Sequence, residues 1–283
     1  MSKRKVRAHI GLLGLLTATT LVLVGITPAS AQQILIGDFV LSGPGPTQWN
    51  PAVAASACVV TGFTPVSDGR FGARTDAFDD GLVLGVDGSG FDDPDGYAPV
   101  SLSEKIATGP SAMSGLSVSR VDQVLQQSPT MRSLINLSNP TATGHVVDVT
   151  IESNLGSDGG TAIVATSSGD TTQQRGDRWT ISNDGSPTTG DPVMTLVYFG
   201  KHASVPPSSL DASLNAANDC SVLTFHVTVK AHSTRYLLFF AQMHASNKKA
   251  KGGAVPFNLL SPGSALLNGI PGTVLSKIAN WSL

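Results

Sequence analysis

Charge is scarce in this chain of 283 residues, at 13% Asp, Glu, Lys and Arg, and so are aromatic rings, at 6%. Only two residues are cysteine and only two, Glu104 and Glu152, are glutamate. With 41% hydrophobic residues and so little charge, the chain can bury a core and does not read as disordered, coiled coil or collagen. Basic residues are also in deficit. Four of the 18 Lys and Arg residues (Lys3, Arg4, Lys5 and Arg7) lie in the first 31 positions, which leaves 14 against 20 acidic residues and a formal charge of −6 beyond them. That balance excludes a nucleic-acid binder with a dominant basic face. Amphipathic helical periodicity is nearly absent, and the chain has one long apolar run, at residues 10–26.

That run follows the basic start and ends in Ala29-Ser30-Ala31, the pattern of a secretory signal peptide cleaved after Ala31. Residues 1–31 are therefore expected to be a leader and residues 32–283 a secreted domain, extracellular or periplasmic, with no membrane span after cleavage. The first cysteine, Cys58, lies too far beyond the apolar run to be a lipoprotein anchor. In an oxidising compartment Cys58 and Cys220 are expected to pair. The bridge would close a loop of about 160 residues, stabilise by at most roughly 5 kcal/mol, and clamp the N-terminal third to the C-terminal third.

What the mature sequence does contain is short β-branched runs of period two, separated by Asp-Gly and Asn-Asp-Gly turns at 68–69, 80–81, 87–88, 95–96, 158–159 and 183–185. About eleven strands are expected. In 146–152, Val147, Val149 and Ile151 oppose Asp148, Thr150 and Glu152; in 222–230, Leu223, Phe225, Val227 and Val229 oppose the more polar set. Residues 236–241 are apolar on both faces and read as a central strand paired to its predecessor through a turn at 231–234. Residues 42–51 and 206–207 read as loops, and one short helix is expected near 273–279. The fold class is all-β: a single large antiparallel β-sandwich with at most one short C-terminal helix, or alternatively two tandem immunoglobulin-like sandwiches. The segment Arg132-Ser-Leu-Ile-Asn-Leu-Ser-Asn-Pro-Thr, followed by residues 146–154, resembles the strand, Asn-Pro turn, strand hairpin of immunoglobulin-like sandwiches in secreted bacterial proteins. The resemblance spans about two strands, implies a sandwich and brings no catalytic residues.

The densest polar stretch is 76–95, where Asp76, Asp79, Asp80, Asp87, Asp92, Asp93 and Asp95 gather, all but Asp87 being candidate metal ligands. Hard oxygen ligands on a turning backbone suit calcium, which would also neutralise their mutual repulsion. Against this, only the middle of an EF-hand loop is matched: Phe91 stands at its first ligand position and Leu102 at its bidentate glutamate. Solvated turn aspartates are the competing reading. A second set, Asn154, Asp158 and Asp184, belongs to turns that would form a surface suited to sugar hydroxyls if they gather at one pole, with Trp179 or Tyr198 as a stacking face. The low aromatic content counts against a flat platform for crystalline polysaccharide.

Catalytic signatures are missing: there is no G-x-S-x-G and no H-E-x-x-H. Ser246-x-x-Lys249 formally fits S-x-x-K but reads as part of a basic loop with Lys248 and Lys251, a loop able to touch anionic envelope polymers. The histidines His145, His202, His226, His232 and His244 are scattered and read as structural. The sequence thus points to a secreted non-catalytic binding protein for carbohydrate or a cell-envelope polymer. The alternatives are an envelope-associated structural or protein-interaction sandwich, and an extracellular hydrolase without a recognisable motif.

Overall fold

The computed structural model of the chain describes residues 33–35, 40–92, 97–101, 104–185 and 190–283. Its strands, in chain order, are β1 (Gln33–Leu35), β2 (Leu41–Ser42), β3 (Thr47–Ser56), β4 (Thr61–Phe71), β5 (Val83–Val86), β6 (Ser89–Gly90), β7 (Tyr97–Ser101), β8 (Lys105–Met113), β9 (Leu116–Leu125), β10 (Thr130–Ser138), β11 (His145–Asn154), β12 (Ala162–Thr166), β13 (Trp179–Asn183), β14 (Val193–Val197), β15 (Ser209–Ala212), β16 (Cys220–Val229) and β17 (Thr234–His244). Two short helices follow, α1 (Asn247–Ala254) and α2 (Gly272–Leu275). The strands form three antiparallel sheets. Nine run in the order β1-β7-β8-β9-β10-β17-β14-β13-β12, five in the order β15-β16-β11-β5-β6, and three in the order β2-β3-β4.

One continuous core draws on all three sheets, so the fold is a single antiparallel β-sandwich rather than two tandem domains. The alternation expected for β11 and β16 holds: Val147, Val149 and Ile151 enter this core beside Leu223, Phe225, Val227 and Val229. Glu152, expected on the wet face of β11, is instead fully buried, and its Oε2 accepts from the amides of Val59 and Val60 at 2.8 and 3.1 Å. From the opposite sheet, β17 sends in Leu237, Phe239, Ala241 and Met243, and Phe225 meets Phe239 edge-on at 5.4 Å. The other face of β17 is dry over its middle. Leu238 and Phe240 pack under Phe257, Leu266, Leu267, Ile278 and Trp281 of the C-terminal segment. A strand apolar on both faces must be covered on both, and β17 is accordingly central, between β10 and β14.

Two connections differ from expectation. The pairs β10/β11 and β16/β17, each expected as a hairpin, have their members in opposite sheets, so the chain arches over the core at both places. Each strand of these pairs has an apolar face that needs a partner across the sandwich, and burial there outweighs the local turn signal. Asn139 ties the two arches together. Its Nδ2 lies 2.7, 3.1 and 3.0 Å from the carbonyls of Thr143, Val229 and Lys230, and its Oδ1 accepts from the Thr141 amide at 2.9 Å.

Residues 47–51, expected as loop, begin β3; the register shifts between Asn50 and Ala52, which lets Pro51 sit in a strand without donating to the ladder. The same device admits Gly109-Pro110 into β8, whose register shifts between Thr108 and Ser111. Residues 247–254, expected as a basic loop, form α1. Ser246 is its N-cap, accepting from the Lys249 amide at 3.4 Å, and Ala250 and Ala254 are buried against Ile181 and Val193. Packing of that small-residue face overrides the poor propensity of Gly252 and Gly253.

One polar cluster lies inside the sandwich. Arg120 and Asp122, both fully buried, meet through two 2.9 Å contacts, and Ser133 bonds both partners. Arg120 also donates to the Leu82 carbonyl at 3.0 Å and lies 5.2 Å from the centre of the Phe63 ring. The guanidinium thereby joins β9 and β10 to the opposite layer.

Candidate functional site

Turns from distant parts of the chain meet at one pole of the sandwich. After β4 the chain makes a loop in which Asp76 (φ 67°) and Asp80 (φ 77°) adopt left-handed backbone, which aspartate tolerates better than most residues. This loop is held to the end of β11 by paired backbone bonds: Asp79 N to the Asn154 carbonyl at 3.1 Å, and Asn154 N to the Asp80 carbonyl at 2.9 Å. The Asp80 carboxylate accepts from the Ser56 amide at 2.9 Å. Just beyond, Gly156 passes so near the loop that a Cβ would fall 2.3 Å from the Asp76 carbonyl oxygen, so no side chain fits. A 3₁₀ turn then presents Asp158 (φ 48°).

Asp184, at the end of β13, supplies the fourth segment. Its carboxylate accepts from the Asp191 amide at 3.1 Å and lies in the space beside Gly190 that a side chain there would enter. Asp191 and Asp219 complete the set. Asp219 borders β16, and its carbonyl accepts from the Leu155 amide at 3.1 Å.

These carboxylates act on one another. Burial, with Asp184, Asp76 and Asp158 adding repulsion, pushes Asp191 up to about 6 against an opposing hydrogen bond from Ser157. Burial, with Asp68 and Asp158, raises Asp76; burial, with Asp76, Asp158, Asp219 and Asp80, raises Asp79. The pole is thus a patch of carboxylates held closer than free charges would settle. Among them, Asn154 keeps its Oδ1 buried with no hydrogen-bond partner.

Of the residues singled out from sequence, the fold brings together Asp76, Asp79, Asp80, Asn154, Asp158 and Asp184. Asp191 and Asp219 were missed; each is a lone aspartate whose role comes only from topology. Asp92 is placed beside Ser111, whose hydroxyl donates to its carbonyl at 2.6 Å. Asp93 and Asp95 lie outside the described residues. Among the described residues no three His, Cys, Asp or Glu side chains converge closely enough to hold a metal ion.

Trp179 does not join the pole. It begins β13 while Asp184 follows its end, a separation of roughly 15 Å at strand rise. Its Nε1 donates to Asn258 Oδ1 at 3.1 Å, and its ring packs against the C-terminal segment. Tyr198 is buried, with its hydroxyl 2.9 Å from Gln173 Nε2 and 3.3 Å from Ser221 Oγ, and offers no stacking face. Of the two glutamates, Glu104 accepts from the Ser42 amide at 2.8 Å and Glu152 is buried beneath residues 59–60.

Cys58 and Cys220 form the expected disulfide, with Cα atoms 6.0 Å apart across 162 positions, and it pins the β3–β4 connection to the start of β16 beside Asp219. No helix among the described residues is long and apolar enough to cross a membrane.

No family model matches the chain, and no curated protein matches it in sequence. Among solved structures it is similar to a protein described as a kojibiose phosphorylase from human microbiome, with TM-score 0.40 and 9% identity over 75% of this chain and 28% of that one. It is also similar to a protein described as an aldose 1-epimerase from Klebsiella pneumoniae, with TM-score 0.31 and 9% identity over 55% of each chain. The chain thus spans about a quarter and about half of the length of these structures, and at such scores neither likeness carries an argument about activity.

Proposed function

We propose that the protein is a secreted, non-catalytic binding protein that takes a hydroxyl-rich polymer, polysaccharide or cell-envelope material, at the aspartate pole. The observation that carries this reading is the convergence of Asp76, Asp79, Asp158, Asp184, Asp191 and Asp219, among which burial first, and repulsion from Asp184, Asp76 and Asp158 second, lift Asp191 to about 6. Ionised carboxylates only accept hydrogen bonds, and sugar hydroxyls are donors in the same density. A ligand that donates to several of them at once fills their acceptor positions. No three of the described carboxylates stand close enough to hold an ion as they are, so calcium would serve the same end only by drawing them together, and it is the one cofactor to test. The leader and the disulfide support an extracytoplasmic site of action.

The test is co-sedimentation of mature protein with insoluble cell-wall and polysaccharide preparations, in calcium and in EDTA, beside the Asp158→Asn/Asp184→Asn double variant. Retention of wild type and its loss in the variant support the reading, and dependence on calcium assigns the metal. If wild type is retained on nothing, the aspartates are turn formers and the protein acts as a structural or protein-interaction sandwich. That second reading has its own footing in the apolar side chains of Val255 and Leu259, 63% and 85% exposed on the turn after α1.

A further inference from the structure

The outer face of the nine-stranded sheet carries a polar relay that the fold does not require. On β17, Gln242 and His244 point away from the core toward α1, and both are buried, His244 with 7% exposure. Gln242 Nε2 donates to Thr130 Oγ1 at 2.9 Å, and Thr130 also receives the Ser128 hydroxyl at 2.8 Å. That orientation leaves Gln242 Oε1 as the acceptor, 3.2 Å from His244 Nε2. The proton of the neutral imidazole therefore sits on Nε2, and Nδ1 carries a lone pair with no partner among the described residues. Burial and the nearby Lys249 ammonium push His244 down to about 4, so the ring is neutral at pH 7 and the lone pair is available.

The imidazole borders a surface pocket of about 340 Å³ lined by Phe71, Pro129, His244, Ala245 and Lys249. Phe71 and Pro129 give it apolar walls. Lys249, on the first turn of α1, has no acidic partner among the described residues, and no carboxylate shifts His244. The dipole of α1 adds positive potential at the same end. Space is also reserved for the ring: a Cβ on Gly253 would fall 2.7 Å from His244 Cε1.

We propose that this pocket binds a small apolar carboxylic acid that also bears a hydroxyl group, with the acid paired to Lys249, the hydroxyl donating to His244 Nδ1, and the apolar body against Phe71 and Pro129. A pocket of this size, mostly apolar with one exposed ammonium and one buried acceptor beside it, has the build of a small-molecule site. It draws on no residue of the aspartate pole. Ser246 and Lys249, the pair that fits S-x-x-K, have a place in it as helix cap and anion partner, without nucleophilic chemistry.

The test is calorimetric titration of the mature protein with 3-hydroxybenzoate, and in parallel with benzoate, which lacks the hydroxyl, and benzyl alcohol, which lacks the acid. Two variants at exposed positions, chosen to leave the fold intact, are Lys249→Met and Ala245→Trp, the second filling the mouth of the pocket. The expected result is saturable binding of 3-hydroxybenzoate, weakened about tenfold for benzoate and about tenfold in Lys249→Met, and abolished in Ala245→Trp. Absence of saturable binding at millimolar ligand, equal affinity for benzoate and 3-hydroxybenzoate, or affinity that survives both substitutions overturns the proposal.

Discussion

The two faces of β17 and the aspartate pole are held together by opposite means. Around Leu237–Ala241 of β17 the neighbours lower the free energy by covering apolar surface, so this stretch is dry on both sides and over-determined. At the pole burial, with repulsion from neighbouring carboxylates added, raises Asp76, Asp79 and Asp191, and the geometry persists because backbone bonds from Asp79, Asn154 and Leu155 hold the loops in place. The C-terminal cap is fastened in the first manner, with polar locks added. Arg132 donates to the carbonyls of Leu266 and Asn268, both at 2.9 Å, and the Asn280 side chain bridges Leu238 and Tyr198.

The sharpest way to break this contrast is to cut the dry region. Phe240 sits 4.9 Å from the Phe257 ring and 5.9 Å from Trp281, measured between ring centres. Phe240→Ala is expected to cost about 3–5 kcal/mol, from lost transfer and the cavity left behind, read as a fall in the urea midpoint. A cost below 1 kcal/mol would mean that the C-terminal cap is not part of the cooperative unit.

Next in size is the clamp. Replacing Cys58 and Cys220 by serine is expected to cost about 2–5 kcal/mol, and to weaken polymer retention further than stability alone explains, because Cys220 adjoins Asp219. Equal retention by the folded variant and wild type would show that the bridge serves stability only.

The same contrast sorts what could be read from the sequence. The strands and their faces were legible wherever alternation was local: Val147, Val149 and Ile151 need only their own spacing. Pairing was not legible, because Asn139-Pro140 and residues 231–234 carry turn chemistry that serves an arch between sheets as well as a hairpin within one. Glu152 looked wet by alternation and is dry, since its cover comes from residues 59–60, some 90 positions away. At the pole, Asp76, Asp79, Asp158 and Asp184 were visible as turn aspartates, whereas Asp191 becomes part of the site only through the register of β14. The Arg120–Asp122 pair was likewise hidden, since nothing local reports that an inward position holds charge.

A smaller effect sharpens the pole's side of the contrast. Asp191 ionises near 6 in the folded protein against an ordinary 3.8, so the native state holds this proton the more tightly. The stabilisation from that proton is complete below about 4 and is lost as pH rises through 6. His244 works in the opposite sense: its folded value of about 4 lies below 6.5, so its contribution is full above 6.5 and lost as pH falls toward 4. Asp191→Asn removes the first dependence and keeps the second. Thermal midpoints of wild type minus variant are therefore expected to climb as pH drops from 7 to 4, and parallel curves would show that Asp191 is not under strain.

The smallest expected effect concerns Trp179, one of the two rings the sequence suggested for the pole. Trp179→Phe keeps an aromatic body against the C-terminal segment and deletes the Nε1 bond to Asn258, which still has Arg178 Nη2 at 3.1 Å as a donor. Because the remaining acceptor is not orphaned, the loss should approach the net worth of one hydrogen bond, about 1 kcal/mol. Polymer retention should be unchanged, since the ring stands a full strand away from Asp184. Loss of retention with stability preserved would move the binding surface from the carboxylates to the opposite end of β13, where Arg178, Trp179 and Asn258 already meet.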